Sequence, residues 1–207
     1  MIGLAKDGAL WTVTLDRPQK ANSLTAAMLE RMVGIIEEAA GAPELRALVL
    51  TGAGDKVFSA GADLDEARAG LATSPLWEQV SGGIAALPCL TIAALNGTLA
   101  GGAFGMALAC DLRVAVPDAR FFYPVAKLGF LPQPSDPGRL RDLVGPARAK
   151  LLLLGGQKFS AEEAYDFGLV DRIVLDEHLA ATVRDIAEDA CAGDVDVLRR
   201  IKVMCDG

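Results

Sequence analysis

A chain of 207 residues, 52% hydrophobic and 23% charged, has enough apolar surface for one well-filled core and is not disordered by composition. A net charge of −7 argues against general nucleic-acid binding, which sets Lys and Arg against phosphate, but leaves room for a small anionic ligand held by a few cations. Apolar runs break well short of the ~18–20 residues a membrane helix needs, so no membrane partner is expected, and one histidine with four cysteines lacking C-x-x-C spacing argues against a bound metal.

The opening MIGLAKDGALWTV has no basic stretch leading into an apolar one, so no signal peptide is read and the expected location is cytoplasmic. ALWTVTLDRP alternates Leu10, Trp11, Val13 and Leu15 with threonines and predicts a strand stopped by Pro18. TAAMLERMVGIIEEAAG sets Leu29, Met32, Val33 and Ile36 on one helical face, capped by Thr25 and ended by Gly41. RALVLTG, KVFSAG, CLTIAAL and LRVAVPDA read as further strands or extended pieces. After Gly129 a proline-rich turn, LPQPSDPGRL, opens a helix with Asp136 as its cap and Pro137 in its first turn. PARAKLLLLGG is a helix closed by glycines, and Ser160 with Glu163 forms a capping box for the next one, ended by Gly168. LVDRIV reads as a strand, and two helices follow from about Asp176 and Val195. His178 falls in the first of these, in charged surroundings, and is not read as catalytic. The four cysteines are read as free, buried thiols. Alternating strands and helices without a linker predict an α/β fold with one continuous core.

Two glycine-rich turns each lie between an apparent strand and an apparent helix: FSAGADL (Phe58 to Leu64) and LAGGAFG (Leu99 to Gly105). A helix start leaves peptide N–H groups without partners at its positive end, and glycine lets a ligand approach the backbone. Two such starts converging on one oxygen would stabilise developing negative charge without any reactive side chain. Tight packing of helix on sheet explains the same composition, so both readings stay open at the level of the residues. TGAGDKVF is a weak dinucleotide signal, lacking the third glycine and an immediate helix.

These turns carry a resemblance. LDRPQKANSL, FSAGADL, NGTLAGGAFGMALACDLRVA, ARFFYPVAKLG and FSAEEAYDFGLVDRIV together resemble the crotonase superfamily, the enoyl-CoA hydratase/isomerase family, from about Trp11 to Val174. The resemblance implies the crotonase (ClpP-like) fold, in which ββα units wind into a superhelix. It implies a core over residues 1–175 and a C-terminal helical segment over 176–207 that builds a homotrimer or a hexamer. It implies an acyl-CoA thioester as ligand, with coenzyme A part of the substrate and no separate cofactor. Matched residue by residue, the N–H groups of Ala62 and Gly102 form an oxyanion hole for the thioester enolate. Ala60, Gly61, Asp63, Leu64, Gly101 and Val125 line the substrate site on one side. Lys20, Ala21 and Ser23 line the other wall, where Lys20 or Arg17 would face CoA phosphates, though plain solvated charge is the alternative for both.

The sequence departs from that pattern where a hydratase places its two glutamates. The matching positions are Gly105 and Val125, neither able to move a proton. Asp136 is the nearest acid, but a cap explains it. Tyr123, two residues before Val125 on an extended segment, is expected to point elsewhere, and Asp65 and Glu66 read as surface charge. The helical region after LVDRIV is short for the family, and Lys202 falls loosely where a basic residue often stands near CoA. Two readings remain: an enzyme of acyl-CoA metabolism whose proton-transfer group is unidentified, and an acyl-CoA-binding protein without catalysis. A structural subunit that binds no CoA is disfavoured by the two turns.

Overall fold

The computed structural model describes residues 1–206. It opens with a hairpin: β1 (Ile2–Asp7) pairs antiparallel with β2 (Leu10–Leu15) across a turn at Gly8, whose φ is 56°. β1 escapes the sequence reading because this edge strand is half-buried to exposed and has no apolar alternation. β2 buries Trp11, Val13 and Leu15 as its pattern predicts. α1 (Ala26–Ala40) follows, its Thr25 hydroxyl accepting from Met28 N at 3.2 Å, and it buries Leu29, Met32, Ile35 and Ile36.

Three strand pairs then repeat one path. β3 (Ala47–Gly52) is followed by β4 (Val57–Ser59), α2 (Leu64–Arg68) and α3 (Leu76–Ala85). β5 (Leu90–Leu95) is followed by β6 (Thr98–Ala100) and α4 (Phe104–Ala109). β7 (Leu112–Ala115) is followed by β8 (Arg120–Phe122), α5 (Val125–Leu128) and α6 (Asp136–Leu153). The first strand of each pair joins a sheet ordered β1-β2-β3-β5-β7, and the second joins a smaller sheet ordered β4-β6-β8. The strands of these repeats pair in parallel, as strands joined by helical crossovers do. β9 (Phe159–Ser160) closes the small sheet antiparallel to β8, α7 (Ala161–Asp166) follows, and β10 (Arg172–Ile173) closes the large one beside β7. α8 (Asp176–Ala192) buries Leu179, Val183 and Ala187 in the common core, and α9 (Val195–Asp206) ends the chain.

The corners between sheets explain the Asn-Gly of LNGTL. Asn96 Oδ1 accepts from Gly52 N at 3.0 Å while its Nδ2 donates to Gly54 O at 2.8 Å, tying one corner to the next. A methyl group on Gly97 would stand 2.2 Å from the Lys56 carbonyl, so only glycine fits there.

Several sequence expectations change. Asp136 is not a cap: Ser135 holds the N-cap position, Asp136 is the first helical residue, and its carboxyl is fully buried. The two helices expected between Asp136 and Leu154 are arms of α6 meeting at Gly145, whose φ of 79° breaks the helical path. All four cysteines are free, but only Cys89 and Cys110 are buried; Cys191 is half-buried and Cys205 exposed on the terminal helices. No helix among the described residues is long and apolar enough to cross a membrane.

Candidate functional site

The two glycine turns meet at one place. β4 and β6 are neighbours in the small sheet, so the turns that follow them are brought side by side. Gly61 has a φ of 89°, and a methyl group on it would lie 2.9 Å from Ala100 O and 3.1 Å from Gly102 N. Only glycine permits that approach.

The hydrogen bonds around the turns leave the Ala62 amide outside the ladder. Leu24 bridges to Ala62 in parallel fashion, through Leu24 N donating to Gly61 O and Asp63 N donating to Leu24 O, both at 2.8 Å. That pattern uses the residues on either side of Ala62 and not its own N–H. Gly102 lies in a single 3-10 turn, Gly101–Ala103, where the first N–H groups have no intrahelical partner. Both residues line a cavity of about 130 Å³ whose walls include Ala60, Trp77, Phe122, Tyr123, Val125 and Phe130. The Trp77 ring packs on Gly102, 3.3 Å from where a methyl would sit, and is held by its Nε1 donating to Leu71 O at 2.8 Å. Leu64 is exposed at the rim, and Gly101 (φ 58°) supplies the bend between β6 and the turn.

The QKANSL wall is welded to this turn. Ala60 N donates to Ala21 O at 3.0 Å, and Ser59 Oγ donates to Asn22 O at 2.8 Å while accepting from Gly61 N. Ala21 and Asn22 both take φ 50°, a left-handed pair held by Asn22 Nδ2 donating to Ala53 O and Val57 O. Arg17 is no solvated charge: its Nη1 stands 2.7 Å from Asp63 Oδ2 and 3.2 Å from Ser23 Oγ. The Arg17 guanidinium holds the Asp63 carboxyl below its ordinary range, and Asp63 also caps α2. These three residues therefore brace the turn, and Lys20 is the exposed cation of the wall.

Other expectations separate. Glu66 Oε2 accepts from Ala26 N at 2.6 Å, so it serves the start of α1 while Asp65 faces solvent. Lys202 donates to Cys89 O and pairs with Asp111 Oδ2, both at 2.8 Å, which ties α9 to the large sheet. His178 is exposed on α8.

Sequence reasoning named Asp136 as the nearest acid but set it aside as a helix cap, and it did not connect that acid to Tyr123. The Tyr123 hydroxyl donates to Asp136 Oδ2 at 2.8 Å, and the Tyr123 ring stacks on Phe104 with centroids 5.3 Å apart. The expectation that Tyr123 lies away from Val125's surroundings is not met: the backbone leaves the extended region at Pro124 (ψ 37°), and both residues line the cavity. Asp136 Oδ1 lies 2.7 Å from where a methyl on Gly105 would be. Its carboxyl therefore fills the space over Gly105. Burial raises the Asp136 pKa to about 7, with the Glu78 charge adding and the Tyr123 hydrogen bond and Arg139 opposing. Burial, then the neighbouring Asp136 carboxyl, push the Tyr123 phenol well above its usual value. The available signal was the coincidence of an unusual glycine at position 105 with an unusual acid at 136, which nothing in linear spacing connects.

A repeated strand pair alternating between two sheets, with a cavity between successive turns, defines the α/β crotonase fold. The family model described as "Enoyl-CoA hydratase/isomerase" matches residues 5–206. A carnitinyl-CoA dehydratase of Salmonella enteritidis is 39% identical over 195 residues, covering 89% of this chain and 72% of that protein. A short-chain-enoyl-CoA hydratase of Clostridium acetobutylicum is 37% identical over 189 residues, with coverage of 89% and 72%. The crystal structure of an enoyl-CoA hydratase from Bacillus anthracis superposes with a TM-score of 0.93 at 32% identity, over 100% of this chain and 82% of that one. The chain belongs to the enoyl-CoA hydratase/isomerase family.

Proposed function

We propose that this protein binds an acyl-CoA thioester and stabilises its enolate through the N–H groups of Ala62 and Gly102. The observation that carries the reading is the contact of the two glycine turns beside an apolar cavity, with the Ala62 amide outside the neighbouring ladder. As the α-proton leaves, negative charge moves onto the thioester oxygen. Two fixed amide donors favour that state over the neutral carbonyl, and losing one such donor typically costs ~10²–10³ in rate. The stretch Ala60 to Leu64 would lie along the CoA arm, Lys20 would face its phosphates, and Val125 would touch the acyl group. The similar carnitinyl-CoA dehydratase and short-chain-enoyl-CoA hydratase are named for CoA thioester substrates, which supports this ligand class.

A second reading, an acyl-CoA-binding protein without turnover, is favoured by one observation. The positions matched to the hydratase glutamates carry Gly105 and Val125, so ordinary two-carboxylate hydration has no donor. Mixing the protein with crotonyl-CoA and following the conjugated-thioester absorbance separates the two. Turnover abolished by Gly102→Val supports the enzyme. Calorimetric binding of several acyl-CoAs with no turnover supports the carrier. An absence of acyl-CoA binding overturns both.

A further inference from the structure

We propose that Tyr123, backed by Asp136, is the proton-transfer group of this chain, acting on the α-carbon of the acyl thioester in the cavity. The inference rests on the reading above for its ligand and adds the group that the reading lacks. Three observations converge. Tyr123 lines the same cavity as Ala62 and Gly102. Its hydroxyl is bound at 2.8 Å to a carboxylate inside the protein. That carboxylate occupies the space over Gly105, where a side chain from α4 would otherwise stand.

A buried acid with a purely structural use normally has hydrogen-bond partners at both oxygens. Here Asp136 Oδ1 is buried without a hydrogen-bond partner among the described residues. An unpartnered oxygen makes the ionised form costly and the carboxylate a ready proton acceptor. The step balances within the pair and the substrate. Tyr123 Oη takes the α-proton as its own proton passes to Asp136 Oδ2. The C–H electron pair becomes the enolate double bond, and the charge settles on the thioester oxygen. Reversal returns a proton to the same or a conjugated carbon. The pair moves one proton and activates no water, so it fits a double-bond shift or an epimerisation. Tyr123 is the catalytic residue, and Asp136 is a positioning residue that accepts the proton through it.

The test is hydrogen exchange at the α-carbon of butyryl-CoA in D2O, read by NMR, with binding followed by calorimetry. Wild-type protein is expected to exchange the α-protons, at a rate that rises with pH through about 7 as Asp136 ionises. The charged or titratable groups facing Asp136 are Tyr123, Glu78 of α3 and Arg139 of α6. Tyr123→Phe keeps the ring that stacks on Phe104 and should slow exchange ~10²-fold or more with affinity little changed. Asp136→Asn should also erase the pH step; if that variant does not fold, Tyr123→Phe decides alone. Exchange at the wild-type rate in Tyr123→Phe overturns the inference and leaves acyl-CoA binding standing. Wild-type binding without exchange does the same. Failure of the wild type to bind butyryl-CoA or any other acyl-CoA overturns the underlying reading as well.

Discussion

Gly105 and Asp136 are one feature seen from two places in the chain. A methyl on Gly105 would press on Asp136 Oδ1 at 2.7 Å, and Asp136 is fixed by Tyr123 and by burial on all sides. Alanine is ordinarily favoured over glycine inside a helix by ~0.5–1 kcal/mol. Here overpacking should outweigh that gain, so Gly105→Ala is expected to be destabilising by about 1–3 kcal/mol in a denaturant titration. Gly61→Ala should be at least as damaging, because its new methyl meets Ala100 O and Gly102 N, backbone atoms that cannot rotate away, at a φ that penalises any side chain. Asp136 also gives stability a pH dependence of definite sign. Its folded pKa lies above that of an unfolded aspartate, so between about 4 and about 7 the folded state binds more protons. Stability contributed by the protonated form is lost as pH rises through that window. Asp136→Asn should flatten that part of the stability–pH curve.

Among elements, the corners between sheets and the helix ends are held by few groups. Asn96 satisfies Gly52 N and Gly54 O at once. Asn96→Ala leaves the buried Gly52 donor unpaired, and a loss of about 1–3 kcal/mol is expected by thermal or chemical unfolding. α7 begins with a complete capping box, Ser160 Oγ accepting from Glu163 N and Glu163 Oε2 accepting from Ser160 N. Ser160→Ala should cost about 1 kcal/mol, a smaller loss than at Asn96, because these groups are exposed and water replaces the bonds. α2 depends on the Arg17–Asp63 clamp, which joins the two walls of the site rather than offering a charge to ligand.

At the scale of the whole molecule, α9 has two faces with different uses. Lys202 anchors it to Asp111 and Cys89, and Leu198 packs near Gly193. Val197, Ile201 and Met204, spaced as one helical stripe, remain exposed. The family resemblance proposes a trimer, or a hexamer of paired trimers, and this stripe supplies an apolar face for such an assembly. Light scattering is expected to give a trimer or hexamer mass, and Ile201→Asp to shift it toward the monomer. A monomeric wild type at micromolar concentration would dismiss the assembly.

Local chemistry in the sequence was sufficient for much of this. Hydrophobic periods placed α1, β2 and the buried strands, the Ser160–Glu163 spacing marked a helix start, and the glycine turns marked the candidate site, because each depends on neighbours a few residues away. The edge strand β1 and the short α3 were not legible, since their form is decided by what they pack against. Tyr123 and Asp136 were each weighed in the sequence, but their pairing was not legible, for the same reason. Gly105 lies in α4, Tyr123 just after β8 and Asp136 at the start of α6, and only the winding of β5–α4 against β8–α6 sets a carboxyl over a glycine and a phenol beside it. From local spacing alone came two glycine turns that could offer backbone donors to one ligand; which side chains stand next to them followed from the packed chain, because burial and contact exist only once distant segments meet.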